Sequence, residues 1–270
     1  MIHGMRRDGT PRGLYTGFAA LVGVAAAALL TAGAVGAWAA AQPARSQAAA
    51  SASARDFSGV WMPSHWYHLL GGGDPGNLPR NTLFSFPLPK AVSERVALLT
   101  PWGQARLAAW TPENDPDARC LSPGAVRAYQ SPYPIEFLAS PGRMTILFEY
   151  QHLVRRVFLD SRAHPKDFDV APMGHSTGRW EGDTLVVDTV GLADTTLLNA
   201  TGLPHSEQMR LTERLTKILG GDVLEVEFTI ADPVAYTKPW SATSYFKRDL
   251  AGQVIEYNCD LVVDYRKPGQ

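Results

Sequence analysis

Cysteine is scarce in this sequence. Cys120 and Cys259 are the two among 270 residues, and neither a redox CxxC nor a haem-attaching CxxCH is spelled. Lys and Arg number 25 against 26 Asp and Glu, for a net charge of −1, and no basic stripe interleaves with aromatics. Nucleic acid is therefore not an expected partner. The metal-protease spelling HExxH and the pair H-x-H are also missing. His65 and His68 lie three apart, while His152, His164, His175 and His205 are scattered, so no metal is expected. With no nucleotide loop, no redox dithiol and no metal motif, the chemistry left open needs no cofactor.

Charge is absent from Gly13 to Pro43. Arg6, Arg7 and Arg12 precede this stretch, Phe18–Ala41 is rich in Ala, Val, Leu and Gly, and small residues end it at Ala41. A basic start, an apolar run and small residues make an export signal, with a cut after Ala41. The run is also long enough to span a bilayer, so attachment through residues 14–41 is the rival reading. Its weak, alanine-based apolarity favours cleavage. Cleavage would place the chain in the periplasm or the medium; retention would anchor it at the inner membrane. Residues 42–55 are an Ala/Ser linker. An exported chain matures in an oxidising compartment, so the simplest use of Cys120 and Cys259 is one disulfide closing a long loop.

The folding part changes texture at Arg143. Residues 56–142 are rich in proline and aromatics and read as a segment that wraps or lids the rest. "DFSGVWMP" suits a short strand, and "SPYPIEFLASPG" a loop or edge piece, because Pro132, Pro134 and Pro141 argue against a central strand. The clearest helix is Thr100–Trp110, with Thr100 as cap and Pro101 at the first helical position. Residues 143–265 carry short alternating runs separated by turn signals. The alternation is cleanest at Leu224, Val226, Phe228 and Ile230. Glu181-Gly182-Asp183, Gly220-Gly221-Asp222 and Asp249–Gly252 read as hairpin connections. About eight strands in sequence predict a mainly β fold: an antiparallel up-and-down, lipocalin-like barrel that could hold one small ligand.

Several of these stretches also form a pattern. "DFSGVW" at 56–61, "LTP" at 99–101, "PYP" at 132–134, "PGR" at 141–143 and "HP" at 164–165 are followed by "GHSTGRWEGDTLVVDT" at 174–189. "PHS" at 204–206 and "DPVAYTKPW" at 232–240 complete it. Taken together the chain resembles a large, mostly uncharacterised family of exported bacterial proteins with a GxSxGRWEGDTLVVDT signature. The resemblance implies export and one folded domain, and it brings no activity with it.

Candidate catalytic residues are His175, His205, Arg179, Arg143, Glu149 and Glu213. His175 and Arg179 share one strand face, which suits an acid–base group beside an anion-stabilising one. A cross-strand ion pair is the plainer role for Arg179. His205 sits in a loop at an expected barrel mouth. Glu149 and Glu213 lie in apolar alternating runs, and the side they face decides whether they are buried acids or surface charges. Tyr133, Tyr150, Tyr236, Lys238 and Trp240 are candidate ligand contacts; Tyr236 and Trp240 could equally plug the barrel end. Ser176 sits in a literal G-x-S-x-G, but a nucleophile elbow needs a strand-to-helix turn and this segment reads strand–turn–strand. The expected function is conversion of a hydrophobic or aromatic small molecule by cofactor-free acid–base chemistry, of lyase, isomerase or hydratase type. The alternative is a lipocalin-like carrier. A carrier wants an apolar interior; an enzyme wants at least two of the six candidates converging in one pocket.

Overall fold

A computed structural model describes residues 54–63, 89–167 and 169–259. The chain divides between Pro43 and Ala44, and all described residues lie in the second unit. The export segment, most of the linker, His65 and His68 fall outside the described residues.

Nine strands close into a barrel: β1 Gly59–Pro63, β2 Ile135–Ser140, β3 Arg143–Phe148, β4 Leu153–Phe158, β5 His175–Glu181, β6 Thr184–Val190, β7 Arg210–Ile218, β8 Val223–Ala231 and β9 Trp240–Asp249. Every neighbouring pair is antiparallel except β4 and β5, which run parallel over Val157↔Ser176 and Phe158↔Thr177. The count and the parallel seam go together. Directions that alternate at every step cannot match around a ring of nine, so one parallel contact is required.

The expected eight-strand, fully up-and-down barrel over 143–265 is thus corrected in three ways. β1 and β2 come from the segment expected to wrap the barrel. β2 follows directly on Pro134, so the prolines border the strand and leave its ladder intact. The third correction is at the C-terminal end: residues 250–258 form no strand after β9. β9 already pairs with β1 over Val60↔Asp249 to Pro63↔Phe246, and a closed ring offers no free edge.

Other expectations hold. Leu224, Val226, Phe228 and Ile230 all face inward at 0% exposure. Burying each contributes on the order of 1.5–3 kcal/mol. The helix at Thr100 spans Pro101–Ala108; a helix of equal length precedes it at Pro89–Val96. We number these α2 and α1. The Thr100 hydroxyl accepts from the Gly103 amide at 3.2 Å and donates to the Val234 carbonyl at 2.5 Å. The cap thereby ties α2 to the β8–β9 loop. A last short helix, α3 (Ala125–Ala128), ends at Tyr129, whose ring enters the barrel. It meets Phe148, Phe228 and Phe246 edge-on at centroid distances of 5.0, 5.3 and 5.9 Å.

The GxSxG spelling has a steric reading. Gly174 turns into β5 with φ +61, and a Cβ there would lie 2.7 Å from the Val190 carbonyl oxygen. Gly178 faces inward at the seam, where a Cβ would meet Val157 and Leu159 side chains at 2.8 and 2.7 Å. Between them Ser176 points inward on a strand, so no nucleophile elbow forms.

Candidate functional site

β5 and β6 carry polar side chains on both faces, and the two sets differ in chemistry. On the inner face, Arg155 of β4 and Glu213 of β7 meet at 2% and 0% exposure. Arg155 Nη1 donates to Glu213 Oε1 at 2.7 Å, and Nη2 donates to the second carboxylate oxygen. Arg155 also donates to Ser176 Oγ at 3.1 Å and to Thr189 Oγ1 at 2.7 Å, and those two hydroxyls bond each other at 2.9 Å. Burial works against the Arg155 charge, but the adjacent Glu213 carboxylate outweighs it and raises the pKa. Burial and the same carboxylate raise Tyr129, which stays a neutral phenol. Among the described residues the Tyr129 hydroxyl has no hydrogen bond of good geometry, although the pair's field acts on it.

On the outer face, three elements meet beside the parallel seam. His175 opens β5, His164 comes from the β4–β5 connection, and Asp188 lies on β6 opposite Thr177. His164 Nε2 is 3.1 Å from Asp188 Oδ2, and His164 Nδ1 is 2.8 Å from His175 Nδ1. Arg210 grips Asp188 through Nε at 2.7 Å and Nη2 at 2.5 Å. Phe158 stacks on His175 at 5.3 Å, and the Arg162 guanidinium sits 3.9 Å from the Phe158 ring centre.

The proton positions follow from the network. Burial opposes the Asp188 charge, but hydrogen bonds from Arg210 and His164 outweigh it, and its pKa is lowered. An ionised carboxylate only accepts, so His164 Nε2 must donate. In a neutral ring that leaves His164 Nδ1 as an acceptor, so His175 donates from Nδ1. The remaining lone pair is on His175 Nε2. Burial is the largest influence on the His175 pKa and lowers it, so the ring is neutral at pH 7. This is the order found in an oriented base: carboxylate, positioning imidazole, basic imidazole.

The six catalytic candidates do not converge in one pocket, as an enzyme built from them would require; His175 alone joins a cluster, and its partners there, His164 and Asp188, lie outside the six. Arg179 is exposed and donates to Glu181 at 2.6 and 3.0 Å, with Arg214 on the same carboxylate at 2.9 Å. It forms an outer cross-strand network, four residues from His175 but outside its cluster. Arg143 is exposed at the start of β3. Glu149 is not in a strand; it lies in the β3–β4 turn and accepts from the Ile255 amide at 3.0 Å. His205 is buried at 1% exposure, with Nδ1 3.0 Å from the Ser206 carbonyl and Nε2 2.7 Å from Thr196 Oγ1. Burial lowers its pKa. Glu213 alone of the six reaches the barrel centre.

Of the ligand candidates, Tyr236 donates to the Pro204 carbonyl at 2.9 Å and packs on Trp240 at 5.5 Å, so both close the barrel end. Lys238 is exposed in the same loop. Tyr133 and Tyr150 stack on each other at 5.6 Å, and both meet the Tyr257 ring. The disulfide Cys120–Cys259 is present, across a separation of 139 residues.

Sequence reasoning missed Arg155, His164 and Asp188 as site residues. Arg155 had a signal, since it shares strand parity with Leu153 and Val157 in "HLVRRVF". His164 had only its "HP" spelling, because a long connection brings it to β5.

No protein-family model matches the chain, and no curated protein sequence matches it. Among solved structures, the chain is similar to a secretary abundant heat soluble (SAHS) protein from Ramazzottius varieornatus at 9% identity. The alignment covers 72% of this chain and 95% of that one, with a TM-score of 0.30. A likeness that slight carries neither fold nor function.

Proposed function

We propose that the chain is an exported, cofactor-independent acid–base catalyst acting on a hydrophobic or aromatic small molecule, of lyase, isomerase or hydratase type. His175 is the base, through Nε2. His164 and Asp188 are positioning residues that fix its tautomer. The carrying observation is the 2.8 Å Nδ1–Nδ1 contact backed by Asp188. A lowered pKa keeps His175 unprotonated at neutral pH, as a base requires. Phe158 supplies an aromatic surface against its ring. Export is supported by the disulfide, which suits an oxidising compartment, and by the N-terminal sequence pattern. The carrier reading has less support, because Tyr129 and the Arg155–Glu213 pair occupy the barrel centre.

The test is a proton-abstraction probe. In 5-nitrobenzisoxazole a base removes the ring C–H proton while the N–O bond breaks, releasing a coloured nitrile phenolate. Saturable turnover should fall about 100-fold or more in His175→Ala. Smaller losses should follow in His164→Ala and Asp188→Asn. A wild-type rate equal to that of His175→Ala would remove this reading.

A further inference from the structure

After β9 the chain bends at Leu250 and Ala251, and residues 252–258 form neither helix nor strand. It crosses the β3–β4 turn in a regular way. The Ile255 amide donates to Glu149 Oε2 at 3.0 Å, and the Tyr257 amide donates to His152 Nε2 at 2.5 Å. Amides two residues apart point to the same side of an extended chain. Between these contacts the Tyr257 ring enters an aromatic notch. It meets Tyr133 edge-on at 5.1 Å and Tyr150 at 5.4 Å, and His152 at 6.5 Å. Tyr133 and Tyr150 are themselves stacked at an interplanar angle of 10°. Beside Tyr150 lies a small cavity of about 110 Å³, which Asp117 and Arg127 also line. The segment then ends in the Cys120–Cys259 bond, and both cysteines are half-buried, within reach of solvent.

This is how an extended peptide docks on a receptor: alternate backbone amides on fixed acceptors, one ring in a slot. No ladder hydrogen bonds hold the segment among the described residues. Each of its residues loses backbone freedom while docked, and the disulfide limits how much freedom there is to regain.

We infer that residues 253–258 are a tethered occupant of a peptide-binding notch formed by Glu149, His152, Tyr133 and Tyr150, latched by Cys120–Cys259. The ligand the notch takes is an extended peptide bearing an aromatic residue two positions after a free amide. The latch opens by exchange with a dithiol. One thiolate attacks a latch sulfur to give a mixed disulfide, and the second thiol resolves it. The products are two protein thiols and the oxidised dithiol. This inference is independent of the His175 reading.

Hydrogen exchange on the full chain, with and without dithiothreitol, tests the latch. Reduction should speed exchange of the Ile255 and Tyr257 amides at least tenfold while β7 and β8 amides stay slow. Unchanged exchange at 255 and 257 would overturn the inference, as would loss of protection throughout the barrel. The notch is tested with a labelled, capped peptide of residues 253–258. It should bind the reduced protein and the Cys259→Ser variant, not the oxidised protein. Equal binding to oxidised and reduced protein, no binding to either, or equal binding by a peptide with alanine in place of Tyr257, would each overturn it.

Discussion

The two faces of β5 and β6 hold polar groups for opposite reasons. Inside, Arg155 directs its donors to Glu213, Ser176 and Thr189, and the cluster is buried. Outside, Asp188, His164 and His175 form a partly exposed line in which each group sets the proton position of the next. A closed network in a low dielectric fixes register and resists change. An open line with a lowered imidazole pKa can accept a proton. Burial alone would have marked the inner cluster as the site; the hydrogen-bond pattern points to the outer one.

The sharpest way to break this contrast is to cut the inner pair. Glu213→Ala strands a buried guanidinium and should cost about 3–5 kcal/mol in urea unfolding. Replacing both partners, Arg155→Met with Glu213→Leu, should recover most of that loss. If the double variant is no better than the single, the pair holds more than its own charges.

Acid should separate the faces next. The pKa of both His175 and His205 is lowered by burial, so each binds a proton less readily folded than unfolded. Their contribution to stability is complete above the unfolded value of about 6.5 and declines as pH falls below it toward the folded values. The urea midpoint should therefore drop between pH 6.5 and 5. His205→Asn should flatten part of that drop, and His175→Asn the rest. A midpoint independent of pH in that window would contradict the assigned neutral rings.

Smaller effects lie at the periphery. Thr100→Ala removes the cap of α2 and its tie to Val234, and should cost about 1 kcal/mol by the same unfolding assay. Arg179→Ala should leave the midpoint unchanged, because its pairing with Glu181 is solvent-exposed. A marked shift there would mean the outer face is more tightly coupled than its exposure indicates.

Much of the barrel was legible in local pattern. β8 read directly from alternation, because one face is buried and the other wet. Gly182 and the Gly220-Gly221 pair marked their hairpins, and Thr100-Pro101 marked α2. β1 was legible as a short strand though not as part of the barrel, and β2 was obscured by prolines that border it. The final hairpin was misread because the alternation after Gly252 cannot reveal that β1 already occupies the β9 edge. For the site, His175 was legible as a polar residue on a strand face, but not which face. Asp188 joins it across the β5–β6 hairpin, opposite Thr177, while His164 arrives on the β4–β5 connection, whose path no local spacing encodes. Arg155 shares strand parity with Leu153 and Val157, but a charged residue in a strand usually turns outward, so parity alone does not reveal its burial.

The account turns on the proton order in the outer line. Nitrogen-15 NMR of the histidine rings at pH 7.5, followed through an acid titration, reads it directly. The expected spectrum has a proton on His164 Nε2 and on His175 Nδ1, none on His175 Nε2, and a His175 midpoint below that of free histidine. A proton on His175 Nε2 at neutral pH, or a midpoint at or above the free value, would contradict it.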